Sequence, residues 1–185
     1  MLKIHIPETH KEFYNDKTEE FVTLECKETD IVLEHSLISI SKWEAKYHKP
    51  FLNDSEQKTG LEMQDYIRFM CLSSNINPDV FLLIPKSEYD RIAKYIEDPQ
   101  TATTFSDRDT GKRSRDIITS ELIYYWMVAL QIPFECQKWH INRLLTLIKI
   151  CNIKNQPPKN MSKRDIMAQN KALNAKRRAK YHSKG

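Results

Sequence analysis

The block from Ile117 to Ile153 constrains this chain more than any other stretch. It holds two of the three tryptophans, two of the four cysteines and the longest uncharged apolar run, Leu122 to Phe134. That run falls short of the roughly 18 residues a membrane-crossing helix needs, and Glu121 and Glu135 bracket it, so it reads as the inside of a soluble protein. Thr119 or Ser120 can cap a helix start, and Leu122, Tyr125, Trp126 and Ala129 then recur at helical spacing. Pro133 cannot continue that helix but suits the first turn of a second. Along the second, Cys136, Trp139, Arg143, Leu144, Leu147, Ile148 and Cys151 follow three-and-four spacing. The block is therefore expected to be a helical hairpin, ended before Pro157-Pro158.

Ahead of it, Leu2, Ile4 and Ile6 alternate with Lys3 and His5, the period of a half-buried strand. Residues Glu8 to Glu20 are polar and turn-like, Phe21 to Leu24 reads as a second strand, and Ile31 to Leu33 as a third. Ser36 can cap a helix to about Tyr47, with Leu37, Ile40, Trp43 and Tyr47 on one face. Leu61 to Leu72 supplies another amphipathic helix. Val80 to Ile84 fits strand, turn or helix end. Ser87 with Asp90 suggests a capped helix through Ile92, Tyr95 and Ile96, closed by Asp98-Pro99, and Thr101 to Arg115 is loop-like. Ser162 with Asp165 opens a last helix to about Tyr181, rich in strong helix formers but thin in apolar residues. The fold class expected is α+β, mainly α. Residues 1–35 form a β-rich part with a small N-terminal sheet, 36–156 a helical core, and 157–185 a mobile basic helical tail.

At 185 residues the chain suits one domain with a real core. Its three glycines argue against an all-β fold and against phosphate-cradling glycine loops, both of which lean on positive φ. Cys26, Cys71, Cys136 and Cys151 lie far apart with no C-x-x-C pair, as expected of free thiols in a reducing compartment. No secretory signal pattern opens the chain. The net charge of +4 is uneven: from Lys159 to Gly185 nine basic residues face Asp165 alone, a balance of +8, so the other 158 residues sum to 4 − 8 = −4.

No residue pattern points to catalysis or to a metal. The six histidines show no H-E-x-x-H or related spacing, and His140 reads as a helix histidine satisfied locally. G-x-S-x-G and G-x-x-x-x-G-K-[ST] are absent, and Glu121 and Glu135 have helix-start explanations. No cofactor is implied. Tyr124, Tyr125, Trp126 and Trp139 are read as core rather than as a binding platform. On the last helix, Ile166, Met167, Leu173, Arg177 and Arg178 are the candidate partner-binding residues, an apolar stripe flanked by charge. The alternative is nucleic-acid binding through Lys163, Arg164, Lys171, Lys176, Arg177, Arg178 and Lys180, by neutralising phosphates.

The segments LEHSLISISKWEAKYHKPF, TATTFS and ITSELIYYWMVALQIPFECQKWHINRLLTLIKICNIKNQPPKNMSKRDIMAQNKALNAKRR resemble a group of tailed-bacteriophage proteins described as tail assembly chaperones. The resemblance runs from Leu33 to the C-terminus. It implies a non-enzymatic protein of the infected bacterium's cytoplasm that binds the tape measure protein, helps recruit tail tube subunits and is absent from the finished virion. It supplies no catalytic residues. Self-association, a nucleic-acid-binding phage regulator and a minor tail or neck component are the other expectations the chain accommodates.

Overall fold

The alternation at the N-terminus becomes strand β1, Leu2–Ile6, which pairs antiparallel with β4, Thr29–Leu33, in the register Leu2 to Leu33, Ile4 to Ile31 and Ile6 to Thr29. Ile4, Ile6, Ile31 and Leu33 are buried on the shared inner face. The computed structural model describes residues 1–15, 19–53, 57–105, 117–155 and 163–181. It divides into two units, Met1–Cys151 and Asn152–Gly185.

Between β1 and β4 the first unit carries a second antiparallel ribbon, β2 (Thr9–Asn15) with β3 (Glu20–Cys26). The described residues thus hold two two-stranded sheets rather than one small sheet. β2 lies in the stretch expected to be turn-like. Its side chains are largely exposed, so no apolar alternation marks it; pairing with β3 makes it a strand.

Six α-helices follow among the described residues. α1, Leu37–Tyr47, starts at Ser36, whose hydroxyl accepts the Ser39 amide while the Ser39 hydroxyl accepts that of Ser36. It buries Leu37, Ile40 and Trp43, and Trp43 Nε1–H donates to the Glu62 carbonyl at 2.9 Å. α2, Gly60–Met70, is capped by Thr59, whose backbone amide returns a hydrogen bond to Glu62 at 2.7 Å. Lys49 also binds Glu62 at 2.7 Å; that bond, seconded by the Thr59 amide, holds the Glu62 carboxyl below its ordinary range.

The undecided Val80 to Ile84 region holds the end of a 3₁₀ turn, Pro78–Leu82, whose Asn77 side chain accepts the Asp79 amide. α3, Lys86–Glu97, forms as expected but not through Ser87: Pro85 occupies the cap position and gives no side-chain hydrogen bond. Residues 106–116, most of the expected loop, and Ser162, the expected last cap, lie outside the described residues.

The expected hairpin differs from the observed one in two ways. α4, Ser120–Ala129, is capped by Thr119 but buries Ser120, Ile123 and Met127, leaving Tyr125 and Ala129 exposed and Leu122 and Trp126 only half-buried. A helix apolar on nearly every side does not announce which side faces inward. Pro133 leads into a 3₁₀ turn, Phe134–Lys138, and α5, Ile141–Asn155, starts only after Trp139 and His140. The interruption has a cause in the backbone, because Ile141 N–H donates to the His35 carbonyl at 2.8 Å and His140 bridges Ser36.

The segment 32–36 is consequently where the first unit is joined. Leu72 N–H donates to the Val32 carbonyl at 2.8 Å and Glu34 N–H to the Met70 carbonyl at 2.9 Å, tying the end of α2 to this segment. The core gathers Ile4, Leu33, Leu37, Trp43, Tyr66, Met70, Ile123, Met127, Ile141 and Leu144 around it. The block from Ile117 to Ile153 contributes Ile123, Met127, Ile132, Cys136, Ile141, Leu144 and Ile148 to this core.

The second unit carries α6, Lys163–Tyr181. No described helix is long and apolar enough to cross a membrane.

Candidate partner-binding surface

The ionisable groups that the core brings together are held by structural partners. Glu34, at the β4–α1 junction, accepts the Tyr95 hydroxyl at 2.7 Å on one carboxylate oxygen and faces the Met1 amine at 2.9 Å with the other. His35 Nδ1 meets the Tyr66 hydroxyl, and the His35 and His140 rings stand edge to face with centroids 5.0 Å apart. Burial, with His140 adding to it, pushes the His35 imidazole down to about 3, so the ring is neutral at ordinary pH. Burial also lowers His140, although the Tyr95 carbonyl opposes this.

The partners of His140 settle its tautomer. A carbonyl only accepts, so Nε2, 2.9 Å from the Tyr95 oxygen, carries the proton; Nδ1 then accepts the Asn142 amide at 3.3 Å. The Asn142 amide is the local partner expected, but the Tyr95 carbonyl lies on α3, and His140 precedes α5 rather than standing within a helix. Tyr66 and Tyr95 are both raised above the ordinary phenol range, chiefly by burial. Such groups, neutral or paired with backbone and neighbouring side chains, tie elements together. All four cysteines are free thiols. Among the described residues no three His, Cys, Asp or Glu side chains gather as a metal site would require.

The apolar side chains left outside the core have a more suggestive arrangement. Tyr125 is 65% exposed and Val128 61%, one helical turn apart on the outer face of α4. Phe134 is exposed beside them in sequence, its ring 6.4 Å from that of Tyr124, whose hydroxyl donates to Gln137 at 2.9 Å. Of the residues assigned to the core at the level of sequence, Tyr125 is thus on the surface, whereas Tyr124 and Trp126 are half-buried and pack against the core. Trp139 is likewise only half-buried, with the Arg143 guanidinium stacked 4.4 Å from its ring centre. On the β2–β3 ribbon, Phe13 and Val22 pair on one face and Tyr14 and Phe21 on the other, all four exposed. Nothing in the sequence distinguishes these aromatics from buried ones, since the deciding contacts are made by distant residues.

α6 carries every one of the sequence-derived candidates, all exposed. At about 100° per residue, Ile166, Leu173 and Arg177 fall within about 40° of one another around the axis, and Lys180 continues that row. Arg164, Lys171 and Arg178 form a second row at seven-residue spacing, with Met167 beside it. Lys163 and Lys176 lie off both rows. Arg177 therefore joins the apolar stripe, whereas Arg178 belongs to the cationic one. Seven basic residues against Asp165 give α6 a charge of 7 − 1 = +6.

No protein-family model matches the chain, and no curated protein and no solved structure is significantly similar to it.

Proposed function

We propose that the chain is a tail assembly chaperone of a tailed bacteriophage, a non-enzymatic protein that binds the tape measure protein and assists addition of tail tube subunits in the cytoplasm of the infected bacterium. The observation that carries this reading is α6: a nineteen-residue helix with an exposed stripe of Ile166, Leu173 and Arg177 and, about 140° around the axis, a separate cationic row. An amphipathic helix left uncovered is mobile on its own and gains its stability from a partner's groove, where apolar contacts give affinity and charges set orientation. The exposed Tyr125, Val128 and Phe134 offer a second contact area. The strings that resemble tail assembly chaperones include the whole of α4 and α5 and most of α6.

Co-expression with the tape measure protein of the same genome tests the reading. A complex that co-purifies and is lost when Ile166 and Leu173 are both changed to Ser supports it; no complex, with both proteins folded, overturns it. Purified virions should lack the chain.

The row Arg164, Lys171 and Arg178 favours one other reading, a nucleic-acid-binding regulator. Labelled RNA and DNA distinguish the two: strong binding that collapses steeply with salt and vanishes on removal of α6 belongs to the regulator.

A further inference from the structure

The outer side of α2 carries a feature that the chaperone reading leaves unassigned. A cleft of about 370 Å³ opens there, bounded by Lys46 at the end of α1, by Asp65, Arg68 and Phe69 of α2, and by Ile76 and Phe81 beyond it. Its lining mixes a charged set, Lys46, Asp65 and Arg68, with the apolar Phe69, Ile76 and Phe81.

Asp65 organises the charged set. Its Oδ2 accepts from Lys46 Nζ and from the Tyr47 hydroxyl, while one nitrogen of Arg68 stands 3.5 Å from Oδ1. Among the described residues Asp65 is the ionic partner of Arg68, and 3.5 Å is too distant for a good hydrogen bond. The Arg68 side chain is 45% exposed. Two cations against one carboxylate leave the charged lining at 2 − 1 = +1. A guanidinium presents its N–H groups as a fork that fits a carboxylate in bidentate fashion, and Arg68 spends little of that capacity on Asp65.

We propose that this cleft binds an acidic peptide segment, a Glu or Asp carboxylate seating on Arg68 and Lys46 while a neighbouring apolar side chain of the segment lies against Phe69, Ile76 and Phe81. A single carboxylate matches the single surplus charge. A polyanion does not: Asp65 and Asp79 both line the adjoining cleft of about 120 Å³, so further phosphates would run onto two carboxylates. The inference holds whatever the client of α6 is.

Titration of the isotope-labelled full chain with the capped tripeptide acetyl-Leu-Glu-Leu-amide, followed by NMR, tests it. Saturable shifts at the Arg68 side chain and at the amides of Phe69, Ile76 and Phe81 are expected, in the millimolar range of so small a ligand. The Gln analogue should bind roughly tenfold more weakly or worse, the worth of a charge-assisted hydrogen bond. Arg68→Gln should abolish the preference for Glu, and Arg68→Lys, which keeps the charge but loses the fork, should retain part of it. Equal shifts with the two peptides, shifts elsewhere on the molecule, no shifts at all, or an unaltered preference in a folded Arg68→Gln protein would each overturn the proposal. So would an RNA oligonucleotide competing the peptide off the same residues.

Discussion

The carboxylate of Glu44 accepts the backbone N–H of Ser120 at 2.7 Å, joining the middle of α1 to the first turn of α4 across 76 residues of chain. Its other oxygen accepts the Phe51 amide at 2.8 Å, so one buried side chain satisfies a helix start and a loop together. Glu44→Ala leaves both N–H groups without an acceptor and should cost about 2–4 kcal/mol. Glu44→Gln should be nearly as costly, since its amide group presents a donor to a donor. Urea unfolding followed by circular dichroism measures both; a loss under about 0.5 kcal/mol in the Ala variant would remove the bridge from the account.

Acid should unfold the first unit through its histidines. His35 and His140 both have folded values below their unfolded value of about 6.5, so the unfolded chain takes up more protons as pH falls through that value. Their contribution is intact above about 6.5 and shrinks as pH drops toward the His35 value of about 3. His5 works in the opposite sense, because its exposed bond to Asp30 raises it. The urea midpoint should be lower at pH 5 than at pH 7.5, with the difference reduced in His35→Gln. An equal midpoint at the two values contradicts the placement of the pair.

Trp43 and Trp139 should respond unequally. Trp43 is 1% exposed and donates a hydrogen bond to Glu62, so Trp43→Ala should cost about 3–5 kcal/mol. Half-buried Trp139 should cost less, about 1–2 kcal/mol, part of it the stacked Arg143. Thermal melts of both variants give the ranking, and the reverse order would return Trp139 to the core.

Changing Tyr125 and Val128 to Ser should leave the melting transition within about 0.5 kcal/mol of the parent, because both side chains already face water. Recovery of the tape measure protein should fall. A large loss of stability would mean that α4 buries a different face.

A chain ended after Asn155 should unfold with the parent midpoint while losing helical signal, as the core residues all precede Asn152. A midpoint lowered by more than about 1 kcal/mol would assign α6 a share in the stability of the first unit.

Local chemistry was readable before the fold was known. The alternation of Leu2, Ile4 and Ile6 and the hydroxyl caps at Ser36 and Thr119 act over two to four residues, and each appears where those rules put it. What stayed hidden depends on partners far off in sequence. Tyr125 is exposed because Ile123 and Met127 take the inward side of α4, a choice that the Glu44 contact helps to make. β2 is a strand because β3 pairs with it, and the break at Trp139 exists because His35 holds Ile141. At α6 the order is reversed: its composition named the candidate residues, and the helical backbone then sorted Arg177 and Arg178 into different rows.

The join at residues 32–36 has a consequence for biosynthesis. His35 waits for Ile141, a separation of 141 − 35 = 106 residues, so the seam cannot close while a ribosome is still making the middle of the chain. Until then Leu33 and Leu37 lack part of their apolar surroundings, and a nascent chain stalled in that interval presents an open, sticky seam to whatever is nearby. The start of α5 therefore acts as the latch of the first unit, whose folding should finish only once residue 141 has left the ribosome.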